Sequence, residues 1–258
     1  MDLRISTLGF IVGLLVGLTG MGGGALMTPA LILLGLARPA IAVGTDLVWG
    51  TLTKAVGAFV HCRQKTVDFA IVKRLAIGSI PGALAGLALL AVLHKHGDQA
   101  MDRAIVHLLA IALMCVALSL FIRTFRGRVS PLETSSASLV HNGPAWLTSV
   151  LGGMVGFLVS LTSVGSGSLI VACLVVLYPR ATMRRIVGSD ILHALLLVGV
   201  SALGHLGLGS IDFPLLGALL IGSIPGVWLG SRMNAVVPER VLQPILATTL
   251  FFLGYKLL

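Results

Sequence analysis

A run of small residues near the start of the chain has the composition of a ligand-binding loop. The first apolar segment ends in Thr19-Gly20-Met21-Gly22-Gly23-Gly24, and Pro29 follows a few residues later. Glycine lets the backbone turn tightly and approach a ligand closely. A helix that restarts after such a break presents free N–H groups and the positive end of its dipole, which favour an anion. The candidate anion-binding residues of this run are Thr19, Gly22, Gly23 and Gly24.

A second run of small residues follows 143 positions later. It reads Leu161-Thr162-Ser163-Val164-Gly165-Ser166-Gly167 and continues into Ser168, so that it adds hydroxyl donors to a flexible backbone. If the two breaks meet, they form a neutral cage of donors around an anion. Glycine runs also occur where helices pack closely or turn in a hairpin, but their repetition favours a binding site. The candidate residues here are Ser163, Gly165, Ser166, Gly167 and Ser168.

Two aspartates lie in apolar segments at equivalent positions. Asp46 stands in Gly44-Thr45-Asp46-Leu47, and Asp190 stands in Gly188-Ser189-Asp190-Ile191. A carboxylate inside a membrane helix is costly and usually functional, so that both are candidates for proton coupling or for supporting the glycine-rich breaks. Because each follows a glycine and a hydroxyl residue, an alternative is that each caps the start of a helix.

Lys54 and His193 are two further ionisable residues within these segments. Lys54 lies eight residues after Asp46. It could hold the charge of an anion or neutralise that aspartate, although a lysine can also reach towards the interface. His193 lies three residues after Asp190, on the same helix face, where it could relay protons, donate a hydrogen bond to the substrate or simply pack. His205, at a segment end, is expected at the membrane interface.

One proline motif occurs twice. Ile77-Gly78-Ser79-Ile80-Pro81-Gly82 recurs unchanged as Ile221-Gly222-Ser223-Ile224-Pro225-Gly226. Proline removes one hydrogen bond of a helix and bends it. We therefore predict that Pro81 and Pro225 act as gating hinges or close-packing points rather than as ligand contacts.

The composition predicts that membrane helices position these residues. Of 258 residues, 57% are hydrophobic and only 10% are charged, against about 25% charged in an ordinary soluble domain. A soluble protein of this length could not bury so much apolar surface. The net charge of +9 comes from Lys and Arg in short loops, where they fix topology rather than bind nucleic acid. We predict an all-α integral membrane protein with no metal site and no cofactor, because its three cysteines form no ligand pattern.

Ten apolar segments follow one another along the chain. They lie at about 5–19, 24–37, 41–60, 69–93, 103–122, 145–161, 165–178, 186–205, 213–231 and 240–257. Since a helix needs about 20 apolar residues to span the bilayer core, we expect segments three, four, five, eight, nine and ten to be long enough or nearly so. The first two segments, like the sixth and seventh, form a shorter pair that either crosses the membrane or turns back as a re-entrant hairpin.

The chain consists of two related halves. Most matching positions are 144 residues apart, as in Thr66-Val67-Asp68-Phe69 and Ser210-Ile211-Asp212-Phe213, whose aspartates are expected to cap the next helix. Chance is a poor explanation for so many pairs in register. We therefore divide the chain into a first transmembrane repeat at 1–122, a polar linker at 123–143 and a second transmembrane repeat at 144–258.

Basic residues indicate that the halves are inserted in opposite orientations. Those that follow the third segment are Arg63, Lys65, Lys73 and Arg74. The loop after the eighth segment carries no Lys or Arg, whereas the loop before it has three arginines and the loop before the third has only Arg38. By the positive-inside rule, equivalent loops then lie on opposite sides. Inverted repeats with glycine-interrupted short segments predict alternating access, with broken helices that meet near the midplane.

The order and duplication of these motifs resemble the TauE/SafE sulfite exporter family. The resemblance rests on the glycine-rich break with Pro29, the Gly-Thr-Asp-Leu and Gly-Ser-Asp-Ile segments and the paired Gly-Ser-Ile-Pro-Gly motifs, and it extends from about residue 8 to 257. It implies a multi-pass transporter of the cell inner membrane. The implied substrate is a small, often sulfur-containing anion such as sulfite, a sulfonate or thiosulfate. The second half departs from the pattern, because no proline follows its break, so that the halves need not contribute equally to binding.

These observations predict a secondary transporter of a small anion, surrounded by membrane lipid, and not an enzyme. No nucleotide-binding motif is present, so that coupling to protons or to the membrane potential is expected. An anion channel is the first alternative, because inverted repeats and glycine-rich breaks can also form a pore and its filter. An intramembrane enzyme that uses Asp190 and His193 is the second, although the sequence shows no nucleophile with a positioned base. The oligomeric state is left open.

Overall fold

The structure, a computed structural model, describes residues 3–19, 24–125, 144–233 and 239–258, which form ten α-helices and no strand. In chain order these are α1 (Leu3–Thr19), α2 (Gly24–Leu33), α3 (Pro39–Arg63), α4 (Phe69–Lys95), α5 (Asp98–Phe125), α6 (Ala145–Thr162), α7 (Ser168–Leu177), α8 (Met183–Gly207), α9 (Phe213–Met233) and α10 (Glu239–Leu257). The predicted all-helical fold is confirmed. α5 extends three residues into the predicted linker, and 126–143 lie outside the described residues.

Five of the described helices are long and apolar enough to cross a bilayer: α4, α5, α6, α8 and α9. They include α6, which the sequence placed among the shorter segments but which runs for 18 residues. Two of the expected spans are not in this group. α3 has 25 residues, but Asp46 and Lys54 interrupt its apolar run. Among the residues whose side chains are described, the apolar part of α10 is Pro244–Leu257.

Two helices, α2 and α7, are too short to cross a bilayer alone. Each has ten residues, which rise about 15 Å along the helix axis. The hydrocarbon core is about 30 Å thick. Each short helix follows a break in small residues, so that it can reach only about half-way across the core.

The first helix of each half packs against the helix of the other half that carries the repeated proline motif. α1 therefore lies on α9, and α6 lies on α4. Glycines bring these backbones close together. A Cβ atom on Gly78 would collide with the carbonyl oxygen of Ser149, and one on Gly222 would collide with that of Ser6. Both glycines belong to the repeated proline motif, which is therefore a close-packing point in α4 and in α9.

The equivalent helices α3 and α8 pack together and run antiparallel. Just after α3, the backbone N–H of Asp68 donates to the hydroxyl of Ser189 near the start of α8, at 2.8 Å. In the matching contact, the N–H of Asp212 after α8 donates to the hydroxyl of Thr45 near the start of α3, at 3.1 Å. Both aspartates also cap the helix that follows them, as predicted, by accepting hydrogen bonds from its N–H groups. The end of each helix therefore lies beside the start of the other.

The two basic loops lie together at one end of the molecule. The guanidinium of Arg184 donates to the side-chain carbonyl of Gln64 at 3.1 Å, which joins the loop before α8 to the loop after α3. At the start of α3, Arg38 forms ion pairs of 2.9 Å with Asp98 and Asp102, at the start of α5. Its hydrogen bonds to these two carboxylates raise the pKa of Arg38. α3 therefore runs from the end with these ion pairs to the end with the basic loops.

Candidate functional site

The two breaks in small residues meet in the folded chain. Gly24 is the first residue of α2, and a Cβ atom placed on it would collide with the backbone carbonyl oxygen of Ser163. Ser163 caps the carboxyl end of α6 in a left-handed conformation, with a φ of 61°. The predicted binding residues Gly24 and Ser163 therefore come together, where α2 starts and α6 ends. Thr19 ends α1, and Gly22 and Gly23 lie outside the described residues.

The second break turns sharply before α7 begins. Gly165 has a φ of 110°, a conformation that glycine adopts without strain. The N-cap residue of α7 is Gly167, and the N–H groups of the first turn receive no side-chain cap. Ser166 is buried in this break, and the side chain of Ser168 lies outside the described part of the chain. Uncapped N–H groups at the positive end of a helix dipole are the donors that an anion site requires.

Asp46 connects the breaks to α3. It is 1% exposed, and its Oδ2 atom accepts a hydrogen bond of 2.6 Å from the hydroxyl of Thr28 in α2. The side chain of Ser163 also lies close enough to interact with this carboxylate. Asp46 is the eighth residue of α3, so that the alternative of a helix cap is wrong. Its carboxylate therefore holds the start of α2 and the end of α6 beside α3.

Asp190 occupies the equivalent position in α8 but has different surroundings. It is 4% exposed and is the eighth residue of its helix, so that it does not cap α8 either. Its Oδ1 atom, like that of Asp46, has no hydrogen-bond partner among the described residues. The position that matches Thr28, 143 residues later, is Val171, which has no hydroxyl. Asp190 is therefore a buried carboxylate without the hydrogen bond that Asp46 receives.

Lys54 is a half-buried amine that interacts electrostatically with both aspartates, and more strongly with Asp190 than with Asp46. Within the described part of the chain it forms no hydrogen bond and no ion pair within 4 Å. The matching residue of α8 is Val198, which is buried and apolar. The region between the two halves thus holds one amine for two carboxylates.

His193 joins α8 to α4. Its Nε2 atom lies 2.8 Å from the hydroxyl of Ser79, and both residues are buried. Its Nδ1 atom is buried and has no hydrogen-bond partner among the described residues. The ring therefore has one nitrogen engaged in a contact between helices and a second one available to a proton or a ligand.

Trp49 takes the matching position in α3 and makes the matching contact. Its indole N–H donates to the hydroxyl of Ser223 in α9 at 2.7 Å. The serine hydroxyls of both proline motifs are therefore hydrogen-bonded, a role that the sequence analysis did not predict. The signal was present in the register, because Trp49 and His193 are 144 residues apart, as are Ser79 and Ser223. Pro81 and Pro225 lie inside α4 and α9.

His205 is buried rather than interfacial, so that its predicted location is wrong. It is 1% exposed, and its Nε2 atom donates to the backbone carbonyl oxygen of Ser160 in α6 at 2.8 Å. α8 continues to Gly207, and its packing on α6 covers the ring. The histidine therefore pairs with a helix carbonyl and not with the membrane surface.

Helices of membrane-spanning length that enclose buried carboxylates define a multi-pass integral membrane protein with a functional polar interior. The sequence comparison identifies the family to which this membrane protein belongs. The chain belongs to the TauE/SafE sulfite exporter family, because the family model described as "Sulfite exporter TauE/SafE" matches residues 5–257. It is a transmembrane transporter of that family.

Relatives of similar length carry the names of membrane transporters. The chain is 41% identical to the "Probable membrane transporter protein YjnA" of Bacillus subtilis (strain 168), over 100% of both chains. It is 24% identical to the "Probable membrane transporter protein YunE" of the same organism, over 97% of this chain and 95% of the relative. It is 25% identical to "YdhB", over 96% of this chain and 97% of the relative. No solved structure matches the chain significantly.

Proposed function

We propose that this protein is a secondary transporter of a small, sulfur-containing anion of the sulfite, sulfonate or thiosulfate class. It works by alternating access in the cell inner membrane and is coupled to protons or to the membrane potential. The substrate class rests on the family, whose description names sulfite. The rest of the proposal rests on the geometry of the two breaks and of the charges beside them.

The observation that carries the proposal is the contact between Gly24 and Ser163. It brings the start of α2 to the second break, which leads into the uncapped start of α7. Two half-length helices then direct their N–H groups towards one region, as substrate sites of transporters with broken helices require. The hydroxyl groups of this region add donors without adding charge.

Lys54 supplies the positive charge of the proposed site. It lies on α3, the same helix as Asp46, and forms no ion pair within the described part of the chain. A half-buried amine with no direct ion pair among the described residues is a suitable counter-charge for an anion. Thr19, Gly22 and Gly23 are proposed to line the same site from the first break.

The contacts between the halves support alternating access. Hydrogen bonds that link α3 to the loop after α8 match those that link α8 to the loop after α3, and the two helices run antiparallel. The basic loops after α3 and before α8 lie together, as expected of inverted repeats whose positive loops face one side. The proposed motion is a change of angle between the halves, with Pro81 and Pro225 as its hinges.

Asp190 and His193 are the proposed proton-coupling residues. Each is buried, and each has an atom without a hydrogen-bond partner among the described residues. A proton can therefore bind Asp190 at Oδ1 without breaking a hydrogen bond, and it can bind His193 at Nδ1 when the Nε2–H group donates to Ser79. Asp46 is proposed to support the site, because its carboxylate is already engaged by Thr28.

Uptake by purified protein in proteoliposomes tests the proposal. Labelled sulfite, thiosulfate and sulfoacetate would be offered with and without an imposed pH gradient. Saturable uptake of one of them, absent from protein-free vesicles, is the expected result. Flux that rises linearly with concentration and far exceeds carrier turnover would favour the channel alternative, and no flux with folded protein would overturn the substrate class.

A further inference from the structure

The charges between the two halves do not balance when all of them are ionised. Lys54 lies one turn before Gly57, which packs against Ile191 beside Asp190. Burial opposes its charged form, but the two carboxylates favour that form and the residue is only half-buried, so that we take it as positive. Asp46 and Asp190 are negative if neither holds a proton. Both are buried, and neither has an ion-pair partner among the described residues. The three groups together would then carry one net negative charge.

Among the described residues, the helices packed around these groups place no further charge beside them. α5, which also packs on α3, carries Asp98 and Asp102 at its start, where both pair with Arg38, and its Arg103 is exposed. α2, α6 and α7 contain no Asp, Glu, Lys or Arg. α4 and α9 carry such residues only near their ends, away from the contact with His193 or Trp49. The other titratable side chains that face this region are His193, bound to Ser79, and His205, bound to a backbone carbonyl. The balance therefore lies with Lys54 and the two aspartates.

A net charge in the dry interior of a membrane protein is costly. A carrier therefore moves most easily between its outward-open and inward-open states when the charges of its buried groups sum to zero. Without substrate, that condition requires one ionised aspartate beside the charged lysine and one proton on the other aspartate. With a monovalent anion bound, the anion takes the place of the ionised carboxylate beside Lys54. Neutrality then requires a proton on both aspartates.

We propose that Lys54, Asp46 and Asp190 form a charge-balancing triad that makes the protein an electroneutral symporter of one proton with each monovalent anion. This inference rests on the proposed function and specifies its coupling. The substrate takes over Lys54 from one carboxylate, and that carboxylate takes up the proton that travels with the anion.

The triad makes an unusual prediction for single substitutions. Asn has nearly the shape of Asp and the charge of its protonated form. With Asp190→Asn, Asp46 remains, and it can still leave Lys54 to the anion and bind a proton instead. One proton should therefore still travel with each monovalent anion. The same holds for Asp46→Asn. Only the double variant, Asp46→Asn with Asp190→Asn, has no carboxylate left to take the proton, so that it should carry the bare anion. Proton coupling that persists in it would assign the proton to His193 and overturn the triad.

Lys54→Gln removes the group that the anion and the carboxylates share. Losing a buried charge partner weakens binding by about tenfold or more. We therefore expect the apparent affinity for the anion to fall by at least that factor, whereas the single Asn variants keep Lys54 and should change the pH dependence of uptake instead.

The test uses labelled sulfite and methanesulfonate in proteoliposomes, with a pH gradient and a potassium-diffusion potential imposed separately. Methanesulfonate stays singly charged, so that its own titration does not interfere. Wild type and both single Asn variants should respond to the pH gradient and not to the potential. The double variant should respond to the potential and not to the pH gradient.

The outcomes separate this inference from the proposed function. Wild-type uptake that carries net charge would overturn the triad but leave the protein an anion transporter. Loss of proton coupling in either single variant would overturn it as well. If wild type takes up no anion, the proposed function fails first. The wild-type measurement alone decides the stoichiometry, even where the double variant does not fold.

Discussion

The Nε2 atom of His193 lies 2.8 Å from the hydroxyl of Ser79. A histidine of the second half is thus hydrogen-bonded to the proline motif of the first half. The matching contact, from Trp49 to Ser223, crosses in the other direction. If the angle between α8 and α4 changes, the hydrogen bond between His193 and Ser79 must either break or move with the helices. The same applies to the hydrogen bond between Trp49 and Ser223 if the angle between α3 and α9 changes. The first contact therefore links the proposed proton-coupling residue His193 to the proposed hinge in α4, and the second links Trp49 to the proposed hinge in α9.

Removing either serine hydroxyl should destabilise the protein by a similar amount. Ser79→Ala leaves the Nε2 atom of His193 without its partner, and Ser223→Ala does the same to the indole N–H of Trp49. A buried polar group that loses its partner costs about 1–3 kcal/mol. Unfolding in detergent, followed by tryptophan fluorescence, should show both losses. Wild-type stability in either variant would show that its hydrogen bond contributes nothing.

Much of the fold could be predicted because it depends on properties that repeat along the chain. Apolar length predicted the helices, whereas the division into two halves stays a prediction from the register of 144 residues. The same register shows that His193 and Trp49 occupy equivalent positions, although it could not show that both contact a serine of the other half. That information depends on which helix faces come together.

The side-chain partners at the breaks could not be predicted. Thr28 hydrogen-bonds Asp46 because α2 lies against α3, and no spacing in the sequence specifies that approach. The asymmetry between Asp46 and Asp190 follows from this one hydroxyl, since Val171 takes its place in the second half. His205 was misplaced for a similar reason: its position near a helix end gave no sign that α6 would cover it.

A methyl group on Gly24 should abolish transport. In Gly24→Ala the new Cβ atom would collide with the backbone carbonyl oxygen of Ser163, which cannot rotate away as a side chain can. The two breaks must then move apart, and the proposed site is lost. The measurement is initial uptake of labelled sulfite at equal amounts of reconstituted protein.

The matched control is Gly217→Ala in α9, where no atom lies within 4 Å of the new Cβ. Alanine is favoured over glycine in a helix by about 1 kcal/mol, so that this variant should transport normally and be at least as stable as wild type. Normal transport in Gly24→Ala would remove the contact between the breaks from the site.

Cysteine labelling should place the basic loops on one side of the membrane. Lys65 and Arg184 are exposed and lie near the joined loops, whereas Lys95 is exposed at the other end of α4. In a background in which Cys62, Cys115 and Cys173 are replaced by alanine, a membrane-impermeant maleimide should label Lys65→Cys and Arg184→Cys from the cytoplasmic side. Lys95→Cys should react from the opposite side. Labelling of positions 65 and 184 from different sides would contradict the inverted arrangement.

Asp46 and Asp190 should respond differently to substitution, although they are equivalent in the duplication. Asp46→Ala leaves the buried hydroxyl of Thr28 without an acceptor, which costs about 1–3 kcal/mol. Asp190→Asn replaces a buried carboxylate, whose Oδ1 atom has no hydrogen-bond partner among the described residues, by a neutral group of nearly the same shape, and Lys54 keeps Asp46 as its counter-charge. The midpoint of thermal unfolding should therefore fall in Asp46→Ala and stay level or rise in Asp190→Asn.

The same Asp190→Asn variant should transport with an altered pH profile. Wild-type uptake should rise as the external pH falls, because protons that bind the carboxylates travel with the anion. Once Asp190 is Asn, only Asp46 remains to bind that proton, and its hydrogen bond from Thr28 favours the ionised form. Uptake of methanesulfonate should then require a lower external pH for the same rate. A profile that overlays the wild type would show that Asp190 takes no part in proton binding, and a lower unfolding midpoint would show that its role is structural.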